Sequence, residues 1–202
     1  MTGLLKLYKE AAVQITRFMM ILTTVYYLIL IATGKTTPVL TTWLLYSIAV
    51  TLAYWTYKRS STKANFRTNV ANAMDVCVMW CVFFTLLLTG NYEFEINWVV
   101  ILCLYALVPI FVVWKNGDRH EITNNVLNVL MVVAVLPMIN HLWHVAKNTE
   151  PWFIWSLVVL TNIVALIPPY ADSDRLAKRY AIRALLCASV VLALIIRLEM
   201  HR

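Results

Sequence analysis

Residues 58–88 read KRSSTKANFRTNVANAMDVCVMWCVFFTLLL. Four basic residues, Lys58, Arg59, Lys63 and Arg67, fall in its first ten positions, and the stretch from Val70 to Leu88 carries a single charge, Asp75. An apolar run of this length crosses the roughly 30 Å hydrocarbon core of a bilayer as a helix, and flanking Lys and Arg mark its cytoplasmic end. The segment therefore reads as a basic inner loop followed by a membrane helix. The same alternation recurs along the whole chain.

Of 202 residues, 61% are hydrophobic and 13% charged, where an ordinary soluble domain carries about 25% charged residues. Mean hydropathy is +0.72. At about 20 residues per span, seven spans use about 140 residues and leave about 60 for everything else. No water-facing domain fits beside them, which excludes a Rossmann domain, a kinase core, a zinc-finger array or a DNA-reading module. The fold class predicted is all-α: a polytopic integral membrane protein of seven transmembrane helices, with residues 1–202 forming one membrane-embedded domain.

The seven apolar stretches run Ala12 to Ala32, Pro38 to Tyr57, Val70 to Leu88, Trp98 to Trp114, Asn124 to Val145, Trp152 to Ile167 and Ala181 to Ile196. The first has the look of a secretory signal. A cut after Ala32 would place Leu30 where a small residue is needed, so it is retained as a helix. A net charge of +7 would suggest nucleic acid in a soluble protein; here the positions of the charges assign it to topology instead. With the amino terminus in the cytoplasm, thirteen basic residues lie inside and only Lys35, Lys147, Arg197 and Arg202 outside. The expected localisation is integral and multi-pass, amino terminus cytoplasmic and carboxyl terminus outside. Membrane lipid is an expected partner and nucleic acid is not.

Shifting the chain by 112 residues lays Lys35, Thr37 and Trp43 on Lys147, Thr149 and Trp155, and Arg67 on Arg179. Pro38 and Pro151 then fall one residue apart, each where proline suits the first turn of a helix. This arithmetic suits a parallel duplication, repeats 12–88 and 124–196 joined by an inverting helix 98–114. In span number the plan resembles the sugar facilitators of the SWEET type and the vitamin transporters of the PnuC type. The proline–glutamine pairs of SWEET relatives are not found, and Trp152, Trp155 and Asn162 are similar only in type to the aromatic and amide residues of PnuC-type pockets. The likeness is architectural and assigns no family.

Polar residues inside spans carry the functional signal, because each costs free energy in hydrocarbon without a partner. Asp75 lies roughly 8 Å along its helix. At similar depth come Arg17, Asn72, Asn124, Asn125, Asn128 and Arg183, a layer that reads either as a polar gate or as an ion pair fixing helix packing, with Arg17 or Arg183 the expected partner of Asp75. Near the opposite face, His141 and His144 are one turn apart and, with Glu93, Glu95 or Glu150, are candidate metal ligands; the spacing equally suits interfacial hydrogen bonding. Asp75 and these histidines stand about 15 Å apart along the membrane normal, too far for one metal site. No cofactor is called for.

Other motifs fail. Gly34, Lys35 and Thr36 lack the upstream glycine and strand of a P-loop, and no GxSxG or HExxH occurs. Ala181 to Ile196 holds no lysine for a retinal Schiff base. The cysteines Cys77, Cys81, Cys103 and Cys187 lie in apolar spans and read as packing residues. Trp98, Trp114, Trp143 and Trp152 suit interfacial belts, whereas Trp43, Trp55, Trp80 and Trp155 lie deeper. The leading expectation is a small-solute transporter or facilitator whose cavity is lined by Trp43, Trp80, Trp155 and Asn162, closed on the inner side by the Asp75 layer. The alternative is a non-catalytic membrane subunit that anchors a protein partner or forms a homo-oligomeric pore, docking through the basic loop Lys58 to Arg67 on the cytoplasmic face. An intramembrane enzyme or sensor ranks third.

Overall fold

A computed structural model describes residues 3–60, 65–94, 101, 105, 120–146 and 148–200. Among these the regular elements are helices: α1 (Gly3–Ala32), α2 (Leu40–Ser60), α3 (Val70–Thr89), α4 (His120–His144), α5 (Trp152–Ala165), the one-turn α6 (Ile167–Ala171) and α7 (Arg175–Met200). Among the described residues five helices are long and apolar enough to cross a membrane: α1, α3, α4, α5 continued through α6, and α7. Apart from Ile101 and Tyr105, the expected span Trp98 to Trp114 lies outside the described residues, as do Glu95 and Cys103.

The helices overrun the apolar stretches from which they were read. α1 begins at Gly3 and α7 at Arg175, because Lys and Arg are good helix formers and a helix need not stop at the hydrocarbon edge. Two terminal devices are visible. Gly90 caps α3 in the left-handed conformation, at φ 70°, its N–H bonding the Leu86 carbonyl. Asp174 caps α7, its Oδ1 accepting from the N–H groups of Leu176 and Ala177 at 3.0 Å each. Pro168 and Pro169 have no N–H to continue the ladder, and α5 breaks at Leu166 before α6 resumes.

The long helices close into a ring in the order α1, α3, α2, α4, α7, α5 and back to α1. In the first half of the chain α3 lies between α1 and α2; in the second, α7 lies between α4 and α5. The closest inter-half seam joins α2 to α4, where Ala49, Val50 and Ala53 face Leu127, Met131 and Ala134 in one buried cluster. Small side chains there let the two backbones approach. On the outside, α1 exposes Phe18, Ile21, Leu22, Val25 and Ile29, and α7 exposes Leu186 and Val190. Such apolar faces have no place in water.

α2 is not among the five most apolar helices, although the sequence reading counts it as a span. It is almost wholly enclosed by its neighbours, with Trp55 its one exposed large hydrophobic residue among those described. Three of its hydroxyls are bonded within the helix: Ser47 donates to the Trp43 carbonyl at 2.7 Å, Thr51 to Ser47 at 2.7 Å and Thr56 to Ala53 at 3.0 Å; Thr41 and Thr42 Oγ1 have no such partner among the described residues. A helix buried among protein needs less hydrophobicity than one facing lipid.

Candidate functional site

Polar contacts gather at the two ends of the ring. At one end, which carries most of the basic residues, Lys9 pairs with Asp172 at 2.6 Å, Arg67 with Glu10 at 2.8 Å, and the Tyr57 hydroxyl donates to Asp174 at 2.8 Å. At the far end the chain segment before α2 meets the one after α3 through backbone bonds between Leu40, Pro38 and Glu93. There Glu93 also pairs with His141 at 3.2 Å, and Thr36 donates to the Thr149 carbonyl at 2.6 Å.

Between these ends lies a cavity of about 130 Å³. All six long helices line it. Its walls are mostly apolar, and its aromatic faces come from Tyr27, Trp43, Tyr46 and Trp155. Trp43 and Tyr27 are in ring contact, centroids 5.6 Å apart. Of the sequence-derived site residues, Trp43, Trp155, Asn162 and Asp75 line this space. Asn162 spends its amide N–H on the Val158 carbonyl at 2.9 Å. Trp80 does not line it: its indole N–H donates to Thr51 at 2.9 Å and its ring stacks on Phe84.

The roof, at the far end, is built on Glu150. This carboxylate is only 3% exposed. It accepts the Tyr27 hydroxyl at 2.9 and 3.1 Å and the Trp155 indole N–H at 3.1 Å. Tyr27 belongs to the first half of the chain and Trp155 to the second, so one carboxylate joins both halves above the cavity. Burial pushes its pKa up to about 7; the bonds from Trp155 and Tyr27 work the other way, and the nearby Glu93 carboxylate adds to the rise. Glu150 thus ties together Tyr27 and Trp155, two residues that line the cavity.

The floor, toward the basic end, is built on Asp75. Its carboxylate accepts the Tyr180 hydroxyl at 2.6 Å. The Arg183 guanidinium stacks on the Tyr180 ring at 4.4 Å and on the Tyr46 ring at 5.4 Å, and donates to the Tyr46 hydroxyl. The basic partner expected for Asp75 thus stands beside it across Tyr180, and the direct bond comes from tyrosine. Arg17 lies over the Phe66 ring at 4.5 Å.

The expected asparagine layer divides into separate ties. Asn124 donates to the Ala53 carbonyl at 2.9 Å and to Thr56 at 3.1 Å, fastening α4 to α2. Asn125 accepts from Arg179 at 2.6 Å, fastening α4 to α7. Asn128 donates back to Asn124. Asn72 is fully buried, and neither its amide nitrogen nor its oxygen has a hydrogen-bond partner among the described residues.

His144 turns its Nδ1 to the Asn140 carbonyl at 2.9 Å, away from the His141–Glu93 pair. No group of three or more His, Cys, Asp and Glu side chains is placed to hold a metal among the described residues. Sequence reasoning missed Tyr27, Tyr46 and Tyr180, and gave Glu150 only a supporting part. A tyrosine in an apolar span looks like an interfacial anchor; its partner, more than a hundred residues away, has no local signature. Searches against family models, curated proteins and solved structures find no match.

Proposed function

We propose that this chain is a seven-span membrane protein that carries a small solute across the bilayer, with the cavity as the place where the solute is held. The basic end is the cytoplasmic side: Lys9, Lys58, Arg67, Arg175, Lys178 and Arg179 lie toward it, against Lys35 and Arg197 at the far end. This follows the positive-inside bias, with the amino terminus in and the carboxyl terminus out. The seventh span of this reading is the apolar stretch Trp98 to Trp114 of the sequence.

The two halves read as a parallel duplication. Contacts of α1 with α5 and of α2 with α4 are the pair that a two-fold axis along the membrane normal would exchange. Positions 112 residues apart also line the cavity together: Trp43 with Trp155, Thr42 with Ile154, Tyr46 with Val158, and Asp75 with Cys187. Thr23 with Val135 and Met79 with Val191 complete the set.

The observation that carries the reading is a cavity walled by all six long helices among the described residues, with the Glu150 contacts toward one end and the Asp75 contacts toward the other. A packing subunit needs no such space. The test is flux into proteoliposomes, followed by light scattering over a panel of small polar and aromatic solutes. A solute that enters faster than into empty liposomes, and is blocked by Ala188→Trp in the cavity wall, supports transport. Equal rates with and without protein for every solute would refute it.

A further inference from the structure

We infer that the outer end of the cavity is latched by a proton: Glu150 takes one up from outside water as the two halves of the chain close on each other and releases it as they part. This rests on the transport reading and names the regulation of its outer gate. Side-chain contacts cross between the halves at the far end. Tyr27 donates to Glu150, Thr36 donates to the Thr149 carbonyl, and Glu93 pairs with His141. Glu150 is bonded from both halves, because Trp155 donates to it as well. Both donors line the cavity, and Tyr27 is in ring contact with Trp43. A change at Glu150 therefore acts on the aromatic wall through the two residues it holds.

The charge state follows from what surrounds the carboxyl. At the basic end Asp172 is met by Lys9 at 2.6 Å, a counter-charge for its ionised form. Glu150 has none: among the described residues no lysine, arginine or histidine forms an ion pair with it. Its two donors, a phenol and an indole, are neutral. An ionised carboxylate in that place would be a buried charge without a counter-charge, which costs more than the neutral acid. Burial is accordingly the main reason that its pKa stands near 7. In the closed arrangement the group is the neutral acid. Ionised, it needs water, and water reaches it when α1 and the start of α5 part at this end.

Other charged or titratable groups surround this end. Glu93 is paired with His141 of α4, His144 turns to the Asn140 carbonyl, and Glu199 of α7 accepts from Asn148. Arg197 donates to the Leu142 and Trp143 carbonyls, Lys35 is exposed, and Tyr92 packs against the cluster that holds Tyr27. Lys147 lies outside the described residues.

The test reads opening by thiol accessibility. In a cysteine-free background, Ala188→Cys places a thiol in the cavity wall, labelled from outside intact cells by an impermeant methanethiosulfonate. Its rate is divided by that of Thr33→Cys, exposed at the outer end, which cancels the ordinary pH dependence of a thiol. Closure that binds one proton makes opening rise by up to tenfold per pH unit below the closed-state pKa and level off above it. From pH 5 to pH 8 the normalised rate should climb at least tenfold. Glu150→Gln, neutral at every pH, should hold the low rate throughout, while Glu93→Gln, His141→Gln and Lys147→Gln should each keep most of the climb. Tyr27→Phe keeps the ring and removes the tie, and should raise the rate at pH 5 about fivefold, the worth of one neutral hydrogen bond. It also carries the test should Glu150→Gln fail to fold.

A normalised rate indifferent to pH, an equal climb in Glu150→Gln, no effect of Tyr27→Phe, or no labelling of the cavity thiol at any pH would overturn the latch. Opening that follows pH in a protein that carries no solute into proteoliposomes would sink the transport reading and keep the latch. Uptake that Ala188→Trp blocks, yet is indifferent to outside pH and to Glu150→Gln, would do the reverse.

Discussion

Glu150→Gln isolates the roof of the cavity. A carboxyl whose ordinary pKa is near 4.5 and whose native pKa is about 7 represents about 3 kcal/mol of linkage between folding and protonation. The native state holds the proton more tightly than the unfolded chain. Stability from this group is therefore fully present below pH 4.5 and is lost as pH rises through 7. Lowering pH from 8 to 4.5 should stabilise the wild-type protein by about 3 kcal/mol from Glu150 alone. Glutamine is neutral throughout, and its amide oxygen can still accept from Tyr27 and Trp155, so the variant should be at least as stable as wild type at pH 8 and should lack that rise. Unfolding in mild detergent, followed by tryptophan emission across this pH range, measures both curves. Glu93, His141 and Glu199 also stand at this end, with Asn148 bridging the Glu150 backbone to Glu199; a Glu93→Gln control should keep most of the rise. If Glu150→Gln keeps the full pH dependence, or loses several kcal/mol at pH 8, the buried neutral carboxyl is refuted.

Tyr180→Phe removes the hydroxyl that bonds Asp75 and should cost about 1 to 3 kcal/mol; the added change Asp75→Leu should recover part of it, and simple additivity in that double-mutant cycle would count against the contact. Asn124→Leu severs the tie from α4 to the Ala53 carbonyl and Thr56 on α2, so a lower unfolding midpoint is expected, by about 1 to 3 kcal/mol. In a cysteine-free background, a cysteine placed at exposed Thr33 should react with an impermeant thiol reagent from outside intact cells and one at Arg175 should not; the opposite pattern would invert the proposed orientation.

Asp75 shows what a sequence can and cannot say about a buried charge. Its isolation in an apolar helix already announces that it needs a partner, and Arg183 is the right neighbourhood. The donor itself is Tyr180, three residues before Arg183, and choosing between them takes the angular positions of two helices. Trp80 makes the same point from the other side. By depth it belongs with Trp43 and Trp155, yet its rotation about α3 carries it to Thr51 and Phe84.

Class and element are legible because hydropathy adds up along a chain. Long apolar runs between basic loops are visible residue by residue, and membrane helices satisfy their own backbones wherever they lie. The sequence by itself therefore determined that the described residues are helical and apolar, and most of the places where those helices turn. The pairing of side chains across helices was decided only in three dimensions. Tyr27 meets Glu150 across 123 residues, Asp75 meets Tyr180 across 105, and Tyr57 meets Asp174 across 117. Such contacts depend on the order of helices around the ring and on the face each one turns inward. Neither leaves a mark on composition or spacing, because a polar residue in an apolar span reads the same whether it faces a partner, a cavity or the headgroups. The tertiary structure alone turned Glu150 from a loop residue into the roof of the cavity.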